Sequence, residues 1–256
     1  MQYDPSAMQN HPSAHVGFTK IYEGNPPWDI GKPQPPFVAV ADRVIGPVLD
    51  AGCGTGNTAL FFAARGHRVT GIDFVEEAIR RARAKAAERG LTVEFLTKDA
   101  MTLGEWERSF ASVIDSGLFH VYAGDDQRRY VQGLAHVLRP GGRLFLFTFT
   151  EEAPEGGVSR QQLHEIFEDR WEVESVELVR GEVSPAFTAE FPDAFPKGGP
   201  EGGSRSSAGR IESQATLHRG RRAGSVAGTS CASNAACPIQ RSGRSHDGFR
   251  QTVALA

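Results

Sequence analysis

Cysteine is scarce in this chain of 256 residues: there are three, Cys53, Cys231 and Cys237. An odd, sparse set does not make a disulfide framework. Cys231 and Cys237 stand close together without a second pair at metal-type spacing, which argues against zinc. No apolar run approaches the roughly 20 residues that cross a bilayer. The N-terminus lacks a basic stretch followed by an apolar run, so no signal peptide is read there. A reduced, cytoplasmic setting without a membrane partner is the expectation. Charge of one sign is also lacking: the formal net charge of −3 gives no whole-chain case for nucleic acid. Internal repeats are absent.

What is present is an ordinary globular composition, 39% hydrophobic and 23% charged, at a length that can bury a sizeable core. Three parts are legible. Residues 1–36 are an arm and flap. The arm is polar, and in the flap Tyr22 and Trp28 sit among Pro26, Pro27, Pro33, Pro35 and Pro36. That composition resists a helix and suits an ordered, extended cover. Residues 37–196 form the main domain. In it Val48–Asp50, His67–Ile72, Val93–Leu96, Phe110–Ile114 and Arg143–Phe149 read as strands. Thr58–Arg65, Val75–Arg89, Asp125–Leu138 and Ser159–Phe167 read as helices, the last with Ser159 as N-cap. Trp171–Arg180 alternates as a strand would. Residues 197–256 are rich in Gly, Ser, Arg and Ala, without periodicity, and only Gln251–Leu255 resembles a strand.

Alternating strands and helices predict an α/β, Rossmann-like fold: a mostly parallel sheet with helices on both faces. Such folds bind ligands at the carboxyl ends of the strands. The special residues of this chain all follow strands. Asp50, Gly52, Gly54 and Gly56 make D-x-G-x-G-x-G, in which glycine lets backbone approach a ligand closely. A dinucleotide loop wants G-x-G-x-x-G, but its third glycine position is Asn57 here. An acid two residues before the first glycine suits a cation, such as the ammonium end of a sulfonium amino acid, better than a pyrophosphate. Asp73 ends the second strand, where a carboxylate accepts ribose hydroxyls. Nicotinamide enzymes use the same position, and Asp73 also suits the start of the next helix. Asp99 can accept from an adenine amino group while the Ala100 N–H meets a ring nitrogen. Phe74 and Met101 are candidates to sandwich the base. Asp115 follows the fourth strand.

Val48–Asn57, Gly71-Ile72-Asp73, Lys98-Asp99-Ala100, Asp115–His120 and Leu138-Arg139-Pro140-Gly141-Gly142 resemble the successive motifs of class I S-adenosylmethionine-dependent methyltransferases, over roughly residues 37 to 180. Ile21–Pro33 is similar to the flap of the thiopurine, thiol and halide methyltransferase group and of related bacterial enzymes acting on heterocyclic phenols. The resemblance implies S-adenosyl-L-methionine as cofactor, a flap that closes over it, and Trp28 near its methionine end.

The expected acceptor is a small molecule, because no recognition domain for protein or RNA is appended; a monomer or homodimer is expected. A hydroxyl acceptor needs its proton taken by a base with pKa near 7, and His120 is the candidate. The alternatives are a nicotinamide-dependent oxidoreductase and a non-catalytic product. The latter arises from the tail. Such methyltransferases finish with an antiparallel strand, whereas after Pro196 comes Lys197–Arg205, a stretch of the kind that a shifted reading frame encodes. The final strand is therefore expected to be missing.

Overall fold

Neighbouring residues of the central strands belong to different cores, and this fixes the layering. In β1 (Val48–Ala51), Leu49 and Ala51 join one apolar cluster and Val48 the other. In β4 (Phe110–Ser116), Val113 and Ile114 divide in the same way. In β5 (Leu138–Phe147), Leu144 and Leu146 part from Phe145 and Phe147. A strand apolar on both faces is one covered on both faces. The computed structural model describes residues 17–151, 157–167 and 171–185, and the backbone of 211–219 and 251–254.

One face is covered by α1 (Pro35–Ala39), α2 (Asn57–Ala64) and α3 (Glu76–Glu88), through Phe37, Leu60, Phe62 and Ile79. The other carries α4 (Gly124–Val137) and α5 (Arg160–Phe167), through Tyr130, Leu134, Leu163 and Phe167. β2 (Val69–Asp73) and β3 (Glu94–Thr97) complete a parallel set in the order β3-β2-β1-β4-β5. The carboxyl ends of β1, β2 and β4 come level: Ala51 pairs with both Ile72 and Asp115.

Local chemistry explains some element boundaries. Ser159 and Gln162 form a reciprocal capping box: Gln162 N–H donates to Ser159 Oγ at 3.1 Å, and Ser159 N–H to Gln162 Oε1 at 2.9 Å. The flap is not wholly extended, since α1 opens on Pro35, whose fixed φ suits a first helical position. The Pro140-Gly141-Gly142 turn does not separate α4 from β5 but lies inside β5. There Leu138 faces Phe110 and Arg143 faces Ser112, a bulge that absorbs the extra residues.

The missing-strand expectation is corrected. β6 (Glu172–Gly181) pairs antiparallel with β7 (Ile211–Arg219), and β7 also pairs antiparallel with β5, from Arg143↔His218 to Phe147↔Gln214. The slot beside β5 is filled. The pattern Ile211-Glu212-Ser213-Gln214-Ala215-Thr216-Leu217 does alternate, but small and polar residues dilute its apolar phase and hide it in a low-complexity context. β8 (Gln251–Ala254), the one strand expected in the tail, pairs with β7. Cys231, Cys237 and the tail between these strands lie outside the described residues, as do residues 1–16.

Candidate active site

The glycine loop is shaped by what lies against it. Gly56 has φ +81°, and a Cβ there would meet Phe95 Cζ at 2.7 Å and Ala82 Cβ at 3.0 Å, so α3 and β3 can approach only a glycine. Gly54, at φ +53°, lies under the flap: a Cβ there would stand 2.7 Å from Tyr22 Oη. Gly52 is covered by Leu118, at 3.0 Å from the corresponding point.

The acids divide by role. Asp50 is 1% exposed, and neither carboxylate oxygen has a partner at standard hydrogen-bond geometry, although the Ala59 N–H still favours its charged form. Burial, reinforced by the charges of Asp115 and Asp73, pushes its pKa up to about 7. Asp73 is also pushed up by burial, to about 6, against hydrogen bonds from Val75 N–H at 2.9 Å and Gly54 N–H at 3.0 Å. It clamps the glycine loop to the turn before α3. Asp115 is raised by burial to about 7, and its oxygens are committed: Oδ1 accepts from Leu118 N–H at 2.8 Å and Phe119 N–H at 3.3 Å, and Oδ2 from Tyr130 Oη at 2.8 Å. It holds the loop after β4. Asp99 Oδ1 accepts from Met101 N–H at 2.8 Å and caps the 3-10 turn Ala100–Glu105.

The aromatics form a cover. Phe18 stands edge-on to Trp28 at 5.6 Å and to Phe74 at 5.9 Å, and Trp28 Nε1–H donates to Tyr22 Oη at 3.1 Å. Phe74 and Met101 belong to separate apolar clusters, Met101 to the core beneath α4. Tyr122 packs on Tyr130 at 5.0 Å.

His120 lies on a 3-10 turn, stacked on Phe149 at 4.1 Å. Its Nδ1 is 3.4 Å from the Phe149 N–H donor and 3.3 Å from Thr148 Oγ1. A backbone N–H only donates, so Nδ1 is the acceptor and the neutral ring carries its proton on Nε2. Burial pushes its pKa down to about 4.

Sequence reasoning missed a polar group around Asn57. Asp29 of the flap accepts from Thr55 Oγ1–H at 2.7 Å and from Asn57 Nδ2–H at 2.6 Å. Lys85 of α3 donates to Thr55 Oγ1 at 2.6 Å and Asn57 Oδ1 at 2.9 Å. Asn57, expected at the cofactor, thus has both side-chain polar atoms in this group. The signal available was Asp29 directly after Trp28 in the flap motif, with hydroxyl and amide side chains in the loop. Lys85 reads in sequence as an ordinary solvated helix residue. Among the described residues no group of His, Cys, Asp and Glu could hold a metal ion, and no helix is long and apolar enough to cross a membrane.

Residues 48–142 match the methyltransferase domain family. A 2-heptyl-1-hydroxyquinolin-4(1H)-one methyltransferase of Mycobacteroides abscessus is 37% identical over 164 residues, covering 60% of this chain and 72% of the relative. The chain belongs to the class I S-adenosylmethionine-dependent methyltransferases. The nicotinamide alternative is thereby set aside. This methyltransferase is also similar to a probable thiol methyltransferase 2 of Arabidopsis thaliana, 30% identical over 149 residues, 55% of this chain and 65% of the relative. A solved structure from the conversion of a disulfide bond into a thioacetal group during echinomycin biosynthesis is 37% identical, with TM-score 0.60, over 65% of this chain and 84% of that one. A SAM-dependent methyltransferase from Methanosarcina mazei, 20% identical with TM-score 0.53 over 70% of this chain and 95% of that one, shares the fold.

Proposed function

We propose that the protein transfers the methyl group of S-adenosyl-L-methionine to a small nucleophile, with a hydroxylated aromatic heterocycle as the favoured class and a thiol second. The observation that carries this reading is Asp50. A buried carboxylate with two empty oxygens, at the carboxyl end of β1 beside a glycine cradle, is the complement of an ammonium group. The rest of the cradle fits the same cofactor. In this reading Asp73 would meet the ribose hydroxyls and Asp99 with the Ala100 N–H the adenine edge, with Phe74 and Trp28 as apolar walls.

The bound cofactor supplies an activated methyl group. The chain's own residues align the acceptor and exclude water. The flap performs the second task by seating Tyr22 over Gly54 and Trp28 against Tyr22. An entrance covered in this way admits a small acceptor rather than a protein side chain or RNA. His120, on the turn after β4 and read as an Nε2–H donor, suits an acceptor oxygen better than a soft sulfur. The quinolinone methyltransferase relative supports the heterocycle class and the thiol methyltransferase relative the second.

The test is a methyl-transfer screen against hydroxylated quinolines and quinones, thiols, thiopurines and iodide, with S-adenosylhomocysteine binding followed by calorimetry. Turnover of hydroxylated quinolines is the expected result. No turnover of any acceptor, together with no cofactor binding, would overturn the reading.

A further inference from the structure

The flap is held at three places, and only the middle one hydrogen-bonds to the glycine loop. At its start, Arg81 of α3 donates to the carbonyls of Tyr22 at 2.6 Å and Gly24 at 2.9 Å. At its end, the Gln34 side-chain amide donates to Glu182 O at 2.9 Å and accepts from Glu182 N–H at 2.8 Å; the same neighbouring segment holds the flap at Pro27, whose O accepts from Ser184 N–H at 2.7 Å. Between them, Asp29 reaches down to Thr55 and Asn57, and Lys85 closes the ring from below. Arg81 and Lys85 are four residues apart, so both lie on one face of α3. That face carries the flap and the loop together.

The donors and acceptors in the ring all match. Thr55 Oγ1 gives its proton to Asp29 and receives one from Lys85. Asn57 gives from Nδ2 and receives at Oδ1. Burial alone would raise Asp29, but the hydrogen bonds from Thr55 and Asn57 and the Lys85 charge outweigh it and hold the carboxyl below its ordinary range. Lys85 is lowered, because burial and the charges of Arg89 and Arg81 exceed what Asp29 returns. The direct Lys85–Asp29 contact is the longest edge, at 3.5 Å. The short hydrogen bonds through Thr55 and Asn57, not the ion pair, therefore carry the connection.

We propose that Asp29 and Lys85 are positioning residues that latch the flap onto the glycine loop, so that the cofactor cannot leave until the Asp29–Thr55–Asn57–Lys85 ring opens. The proposal rests on the cofactor reading for what the flap encloses. None of the four side chains needs to touch the reacting atoms. Their effect is on residence, through Tyr22 and Trp28 on the far side of the same flap segment.

The full chain is tested with Asp29→Ala and Lys85→Met. Dissociation of S-adenosylhomocysteine is expected to accelerate about tenfold in Asp29→Ala, the size of one lost charge-assisted hydrogen bond, and less in Lys85→Met, which keeps both bonds to Asp29. KM for S-adenosylmethionine should rise while kcat is kept, a split that a merely structural lesion does not produce. Without ligand, trypsin cleavage after Lys20 should accelerate, while cleavage at Arg128 and Arg129 on α4 stays at the wild-type rate. General destabilisation would accelerate both sets and count against a latch. If Asp29→Ala does not fold, Asp29→Asn decides, because it keeps the side chain's shape and removes one of the two acceptor oxygens that hold Thr55 and Asn57. Unchanged dissociation together with unchanged flap cleavage overturns the proposal. A wild-type protein that binds no S-adenosylhomocysteine would refute the cofactor reading instead, and the trypsin comparison would still decide whether the ring holds the flap.

Discussion

Tyr130 Oη donates a 2.8 Å hydrogen bond to Asp115 Oδ2, and both side chains are fully buried. The pair joins α4 to the end of β4. Asp115 Oδ1 meanwhile holds Leu118 and Phe119, so this one carboxylate sets the path of the loop that delivers His120. Tyr130→Phe keeps the ring and removes the donor. It leaves a buried carboxylate oxygen unsatisfied, at a cost of about 1–3 kcal/mol. Urea unfolding should show that loss with an unchanged m-value. A loss below about 0.5 kcal/mol would mean that the hydroxyl contributes little.

The buried acids reverse the usual response to pH. Burial raises Asp50 and Asp115 from 3.8 to about 7 and Asp73 to about 6. A group with a raised folded pKa contributes stability that is full below its unfolded pKa and is lost as pH rises through the folded one. The ligand-free protein should therefore gain stability from these acids as pH falls from about 8 toward about 4. His120 acts in the opposite sense: its pKa falls from 6.5 to about 4, so its contribution is lost as pH drops below 6.5. Three raised acids outweigh the one histidine, so Tm measured at constant ionic strength should keep rising as pH falls from about 8 toward about 4. A steady fall from pH 8 downward would contradict this assignment.

Asp50→Asn tests the ammonium complement directly. The side chain keeps its shape and loses its charge. Cofactor affinity should fall about 10–100-fold, the range of a hydrogen bond between charged groups. Calorimetry with S-adenosylhomocysteine at pH 8 measures this, and circular dichroism checks the fold. The variant should also show a weaker pH dependence of Tm than the wild type. Wild-type affinity in Asp50→Asn would remove Asp50 from the cofactor site.

The parallel sheet was legible because each strand runs into its own signal: Asp50 before the glycines, Asp73 at the end of β2, Asp115 at the end of β4. Strand ends and ligand ends coincide in this architecture, so a motif reports its own place. β7 was not legible, because its register is imposed by β5 and β6 on a segment whose own alternation is weak. Lys85 was hidden for a related reason. Its neighbours Thr55 and Asn57 are about thirty residues distant, and nothing in the periodicity of α3 separates a lysine facing a loop from one facing water. For His120 the sequence pointed to a base with pKa near 7, whereas its surroundings favour a neutral ring. Phe149 supplies both the stacked ring and the backbone N–H.

That protonation state leads to a kinetic expectation. A histidine acting as general base with pKa near 7 gives an acidic limb in kcat near that pH. Here burial pushes the imidazole to about 4, and Phe149 N–H points at Nδ1, so at neutral pH the ring is a donor through Nε2. For an acceptor that ionises on its own, kcat should stay flat from pH 8 to pH 6 as far as His120 is concerned. His120→Gln preserves a donor on a side chain of similar reach and should retain activity to within about tenfold. His120→Phe removes the donor and should lose about 10–100-fold, the size of one hydrogen bond to a charged oxygen. Should the wild type instead show an acidic limb near pH 6.5 that both substitutions abolish, His120 would be the base, and the Phe149 hydrogen bond would have to break when the acceptor binds.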